Sequence, residues 1–114
     1  MILYSVNKSR KTITASFEES WFESLCMMCH NINPHDEIDE IAMVVYRVLR
    51  GFPVQHATTR LCNGDTWNEK VGKEMARNKL FDSFNRAKHQ VKIAYKKRLE
   101  HLNDAAMQRL RLDK

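Results

Sequence analysis

After Pro53 the chain runs to Lys114 without another proline. Proline is the residue that most sharply ends a helix, so one very long C-terminal helix is open to this sequence. Its start is marked within Arg60–Lys79, which reads RLCNGDTWNEKVGKEMARNK. Asn63-Gly64-Asp65 is turn chemistry, because Gly64 supplies a positive φ cheaply and its neighbours can bond their own backbone. Thr66 with Glu69 then fits a capping box, which turns a strand sharply into a helix. Along that helix Trp67, Val71, Met75, Phe81, Phe84, Val91, Tyr95, Leu99, Leu102, Ala106 and Leu110 form the apolar positions, close to a heptad seam from Phe84 onward. Such a seam exceeds what a small sheet can cover. Either the helix breaks between Phe81 and Asn85 and folds back, leaving 85–114 as a helical extension, or it pairs with a second copy as a homodimer.

Upstream, Ile2–Val6 and Thr12–Phe17 are β-prone runs separated by Asn7-Lys8-Ser9-Arg10-Lys11, which predicts a hairpin with Ile13, Ala15 and Phe17 on one face. Ser16 with Glu19 forms another capping box, and Phe17, Trp21, Leu25, Met28, Cys29 and Ile32 recur at helical spacing, so a first helix runs from Phe17 or Glu18 to about Asn31. Asn33 as N-cap and Pro34 at the first helical position predict a second helix, with Asp36 and Glu37 in its positive first turn. Ile38, Ile41, Ala42, Val45, Val48 and Leu49 make its buried stripe, and Gly51 with Pro53 stops it. Val54–Cys62 alternates with Ala57, Thr59 and Leu61 on one face, a third strand that joins the hairpin. The expected fold is α+β: a small antiparallel sheet of hairpin plus one strand, packed with two short helices and a long C-terminal helix, in one domain spanning all 114 residues.

Charge is unevenly placed. From Trp67 to Lys114 there are 13 Lys and Arg against 6 Asp and Glu, whereas Glu18–Glu40 holds seven carboxylates and no Lys or Arg. The N-terminus lacks a secretory pattern and no run reaches a membrane-spanning length, so the chain reads as cytoplasmic, with its three cysteines reduced.

Cys26-Met-Met-Cys29-His30 matches the haem-attachment pattern, but it lies within an amphipathic helix of a chain with no export signal. A redox role would need Cys26 at a helix N-terminus. Zinc could draw on Cys26, Cys29, His30, His35, His56 and Cys62, yet a zinc module shows two paired ligand sets and this chain shows one. The cysteines therefore read as small buried hydrophobes, with no metal and no cofactor expected. His56 with Asp65, or His30 with Asp36, could make an acid–base pair, but no nucleophile stands near either. Gly51, Gly64 and Gly72 form no phosphate loop, and Gly72 reads as close packing against the sheet. The chain is expected to be non-enzymatic.

The basic helix is the strongest candidate site. Lys70, Lys73, Arg77, Lys88, Lys92, Lys96, Lys97 and Arg98, with Lys79 and Arg86, fall outside the apolar seam and would neutralise phosphates without reading bases. The acidic set Glu18, Glu19, Glu23, Asp36, Glu37, Asp39 and Glu40 has a structural role at helix N-termini, and as a field it would imitate phosphates and enter a partner's positive groove.

Leu61-Cys62-Asn63-Gly64-Asp65-Thr66-Trp67-Asn68-Glu69-Lys70-Val71-Gly72-Lys73-Glu74-Met75-Ala76-Arg77 resembles a block in small accessory proteins of phages and mobile elements of Gram-positive bacteria. In those proteins a strand ending near a cysteine leads to Asp, an aromatic, a short acidic turn, Gly, an apolar-Ala pair and a basic residue. Asp65, Trp67, Gly72, Met75, Ala76 and Arg77 match. The resemblance implies interference with host defence, some such proteins being anti-CRISPR inhibitors of Cas9. The expected partner is thus a Cas9-type defence nucleoprotein with its guide RNA. The alternative is DNA or RNA itself, bound by an accessory protein through its basic helix.

Overall fold

A computed structural model describes residues 1–61 and 66–112, with side chains as far as residue 104. The elements follow in the order β1 (Ile2–Asn7), β2 (Thr12–Phe17), α1 (Trp21–Ile32), α2 (Ile38–Leu49), β3 (His56–Arg60) and α3 (Glu69–Leu112). They make the expected α+β architecture, a three-stranded antiparallel sheet in the order β1-β2-β3 with three helices. β2 is central, with Ile13 and Ala15 opposite Val6 and Tyr4 on one side and Thr59 and Ala57 on the other. These positions share one face by the two-residue strand period, and Ile13, Ala15, Ala57 and Thr59 are buried on it. In the hairpin turn, Asn7 Oδ1 accepts from Ser9 Oγ and from the Arg10 amide, and Lys11 takes the left-handed conformation at φ 54°.

α3 is one unbroken helix of 44 residues. At ~1.5 Å per residue it spans about 66 Å, and it sets the long dimension of a molecule measuring 75 × 20 × 18 Å. No break occurs between Phe81 and Asn85, because the helix changes neighbours there without bending back. Its buried positions Gly72, Ala76, Leu80, Ala87, Val91 and Tyr95 step by four residues, with one step of seven between Leu80 and Ala87, and Gly72 lies against the sheet at Ile13. A Cβ at Gly72 would stand 2.5 Å from Ile13 Cδ1, so the absent side chain is what lets helix and sheet approach. Phe84 marks the handover. Its ring meets Phe17 at 5.1 Å and Trp21 at 5.4 Å, both edge-on, tying the end of β2 and the start of α1 to the middle of α3.

The seam differs from the expected one in its first turns. Val71 and Met75 are each 44% exposed, since the small residues beside them allow a closer approach than large ones would. Among the later seam positions, Ala106 and Leu110 lie beyond the described side chains. The described helix carries its own surface outward, and residues Glu100–Asp104 are all exposed.

Helix starts also differ. α1 is capped by Ser20, whose Oγ accepts from the Glu23 amide at 3.2 Å, and not by Ser16 with Glu19. The sheet decides this: Phe17 pairs with Ile2, and the Glu18 amide donates to the Met1 carbonyl, so the chain is still extended where a helix was expected. Asn33 does not open α2. It closes α1, its amide donating to the Cys29 carbonyl, and Pro34 lies in the following turn. α2 begins only at Ile38, with Asp39 and Glu40 in its first turn and Glu37 as cap. Ile38, expected in the buried stripe, is 72% exposed. α3 is capped by Asn68, whose Oδ1 accepts from the Val71 amide at 3.1 Å, in place of Thr66. The strand expected over Val54–Cys62 is confined to His56–Arg60, with Ala57 and Thr59 inward as expected. The turn at Asn63-Gly64-Asp65 and Cys62 lie outside the described residues. No helix among the described residues is long and apolar enough to cross a membrane.

Candidate functional site

Among the described residues, ion pairs join the two charged sets at Arg98. Asp36, in the turn before α2, accepts from Tyr95 Oη at 2.7 Å and faces Arg98 Nη2 at 3.7 Å, while Arg98 Nη1 reaches Glu40 Oε2 at 3.2 Å. Tyr95 is fully buried and the Asp36 side chain is 9% exposed, so this cluster clamps the lead-in of α2 onto α3. Burial, followed by the bond to Asp36, raises the Tyr95 pKa well above its ordinary value. Asp36 is therefore taken up within the molecule, while Arg98 and Glu40 pair with each other nearer the surface.

The other acidic residues, Glu18, Glu19, Glu23, Glu37 and Asp39, are exposed, and none forms an ion pair among the described residues. They do not form one field. Trp21 packs on Phe52 at 6.4 Å, which sets the start of α1 beside the end of α2, so the two helices run antiparallel. Glu18, Glu19 and Glu23 stand at one end of the pair and Glu37 and Asp39 at the other, roughly 18 Å away by the helical rise.

The seam splits the basic set as well. On the side of β1 and α1, Lys73 lies 5.5 Å over the Tyr4 ring and pairs with Glu69, and Arg77 lies 5.5 Å over the Phe81 ring. Lys70 shares the face of Arg77 by its seven-residue spacing. Lys88 and Lys92 line a groove with Glu19, Met27, Met28 and Asn31 of the α1 region, and Lys96, four residues on, continues that stripe outward. On the side of β3 and α2, Lys79 Nζ reaches the Thr58 carbonyl at 3.5 Å. Arg86 lies seven residues after Lys79 and Lys97 eleven after Arg86, spacings that keep all three on one face. Lys97 then borders a second groove with Arg47 and His101. Lys92, Lys96 and Lys97 thus do not act as one patch.

Sequence reasoning missed Arg47, Arg60 and His101, which join this second side. It also missed that the sheet carries no carboxylate: Met1–Phe17 holds Lys8, Arg10 and Lys11 with no Asp or Glu, and Val54–Leu61 holds Arg60 with none. The signal was available in the sequence once the strands were laid side by side. The outer sheet face presents Ser5, Thr12, Thr14, Ser16, His56, Thr58 and Arg60 in register, with Thr14 and Thr58 hydroxyls bonded at 2.8 Å.

Cys26 and Cys29, the described cysteines, show no activated form. Burial raises the Cys26 thiol and, with smaller contributions from Cys26 and Asp36, pushes Cys29 to about 11. Such thiols stay protonated near neutrality and are poor nucleophiles and ligands. No three metal-binding side chains gather among the described residues, with Cys62 and Asp65 outside them. His30 is exposed and Asp36 is engaged by Tyr95, so the described contacts do not join them as an acid–base pair. No family model, no curated protein and no solved structure matches the chain.

Proposed function

We propose that this chain is a non-enzymatic anti-defence protein, carried by a phage or mobile element, that acts in the host cytoplasm by binding a defence nucleoprotein of the Cas9 kind and blocking its engagement of nucleic acid. The observation that carries this reading is the exposed acidic cluster Glu18, Glu19 and Glu23 at the start of α1, which has no ion pair among the described residues. A rigid anionic end of this kind suits a positive groove built for phosphates. The resemblance around Leu61–Arg77 supplies the biological setting. A second reading, a general DNA- or RNA-binding accessory protein, draws support from the face shared by Lys79, Arg86 and Lys97 and from the carboxylate-free sheet beside it.

Two measurements separate them. A tagged copy expressed in the native host recovers an effector nucleoprotein under the first reading, and Glu18, Glu19 and Glu23 changed together to Lys abolish the recovery. Gel shift of generic duplex DNA, repeated from low to high salt, shows tight salt-sensitive binding under the second. Recovery that survives the triple Lys substitution defeats the first reading.

A further inference from the structure

We infer that the open groove between α2 and α3 is a docking site for an acidic amphipathic helix of a protein partner. α2 and α3 form an antiparallel pair, since Asp36 before α2 meets Tyr95 while Phe52 after it lies by Trp21, which packs on Phe84. Such a pair has two flanks. α1 fills one of them with its buried stripe Trp21, Leu25 and Cys29. The other flank is a groove of about 370 Å³, with Met43, Val44, Val48 and Ala94 as apolar floor. Met43 is 52% exposed there, a large apolar side chain with no cover among the described residues.

The rim decides the occupant. Arg47, Lys97 and His101 border the groove, and Glu40, the carboxylate that also borders it, is already held by Arg98 at 3.2 Å. A segment entering it therefore needs an apolar stripe for the floor and carboxylates on both sides for the rim. α1 shows within this molecule what docks on the opposite flank: a short helix with apolar residues at every fourth position. A second copy docking two-fold through the same groove would set one basic rim against another, since such a contact repeats one patch on both sides. Nucleic acid would meet Met43, Val44 and Val48 with a sugar-phosphate chain that gains nothing from them. The acidic helix and the nucleic acid of the second reading compete for Lys97, and the inference does not depend on the identity of any effector.

The test uses the full chain labelled at its methionine methyls, so that Met27 on α1 and Met75 on the sheet half of α3 report sites outside the groove. The probe is a helical peptide of about 18 residues with Leu at helical spacing and Glu on both flanks, and its control carries Lys in place of Glu. The acidic peptide is expected to move the Met43 methyl signal and leave Met27 and Met75 in place. In the double variant Arg47→Glu and Lys97→Glu, its affinity falls by about tenfold or more, and circular dichroism verifies that the variant is folded. No Met43 response up to about 1 mM peptide overturns the inference, as does an equal response to the Lys peptide. A Met43 shift on adding duplex DNA, or on raising protein concentration alone, overturns it too, because the occupant is then nucleic acid or a second copy.

Discussion

Tyr95 donates its phenolic hydrogen to Asp36 at 2.7 Å across 59 residues of sequence, and this bond fixes how α2 lies along α3. Asp36 also accepts from the Glu37 amide at 2.9 Å and faces Arg98 at 3.7 Å, so these groups form one part-buried network around its carboxylate.

Tyr95→Phe removes the donor to Asp36 Oδ2 and leaves the carboxylate with the Glu37 amide at 2.9 Å and Arg98 at 3.7 Å as its remaining described partners. The expected loss is about 2 kcal/mol, the usual range for a hydrogen bond to a charged group. Asp36→Asn should cost a similar amount, and the double variant less than the two together. Urea denaturation of the four proteins measures the coupling, and full additivity would show that the network does not exist.

Gly72 and Ile13 are matched in size. Gly72→Ala inserts a methyl 2.5 Å from Ile13 Cδ1, an overpacking expected to cost about 1 to 3 kcal/mol, set against a helix-propensity gain of about 1. In an Ile13→Val background, which removes Cδ1, the same change should become neutral or stabilising. The sign reversal is read from thermal or urea unfolding; an unchanged cost would place the clash elsewhere.

Thr59 is 3% exposed and its Oγ1 has no hydrogen-bond partner among the described residues. Thr59→Val keeps the shape and removes the stranded hydroxyl. It should stabilise the protein by about 1 kcal/mol, visible as a higher urea midpoint with an unchanged slope.

Alkaline pH should unfold the protein earlier than its surface charges alone would. The Cys29 thiol is raised from 9.0 to about 11 in the folded state. Below pH 9 it is protonated in both states and stability is unaffected. Between about pH 9 and 11 the unfolded chain loses this proton first, so stability falls with rising pH, by about 2 kcal/mol over the window. Cys26 and Tyr95, both raised chiefly by burial, act in the same direction. Cys29→Ala should flatten the decline that begins near pH 9, and the urea midpoint followed from pH 7 to 11 checks it.

If the basic side of β3 and α2 contacts phosphates, replacing Lys79, Arg86 and Lys97 together by Gln lowers the salt slope of DNA binding by roughly 3, near one unit per lost contact. The matching triple at Lys88, Lys92 and Lys96 should lower it less, because Lys88 and Lys92 share their groove with Glu19. Equal slopes for the two triples would refute any preference between the sides.

Much of the architecture was readable from residue spacing. The alternation of Ala57 and Thr59, the small Gly72 within a helix, and the four-residue steps of Trp21, Leu25 and Cys29 each name a buried face, because side-chain direction repeats every two residues in a strand and every 3.6 in a helix. The helix starts were not readable. Ser16 and Ser20, like Thr66 and Asn68, are all competent caps, and such caps differ by amounts near 1 kcal/mol or less. The pairing of Phe17 with Ile2 selected Ser20 at the end of β2.

The sequence alone determined that the chain would build an antiparallel hairpin, two short helices, a further strand and one dominant basic helix, because those are local consequences of periodicity and of where proline and glycine fall. Only the tertiary structure decided which charges remain available. A partner 59 residues away took Asp36 out of the acidic field, and the packing of α1 and α2 on α3 put Lys92 beside one and Lys97 beside the other. Charge counts are additive along a chain, but a field depends on distances through space, and those are set by packing.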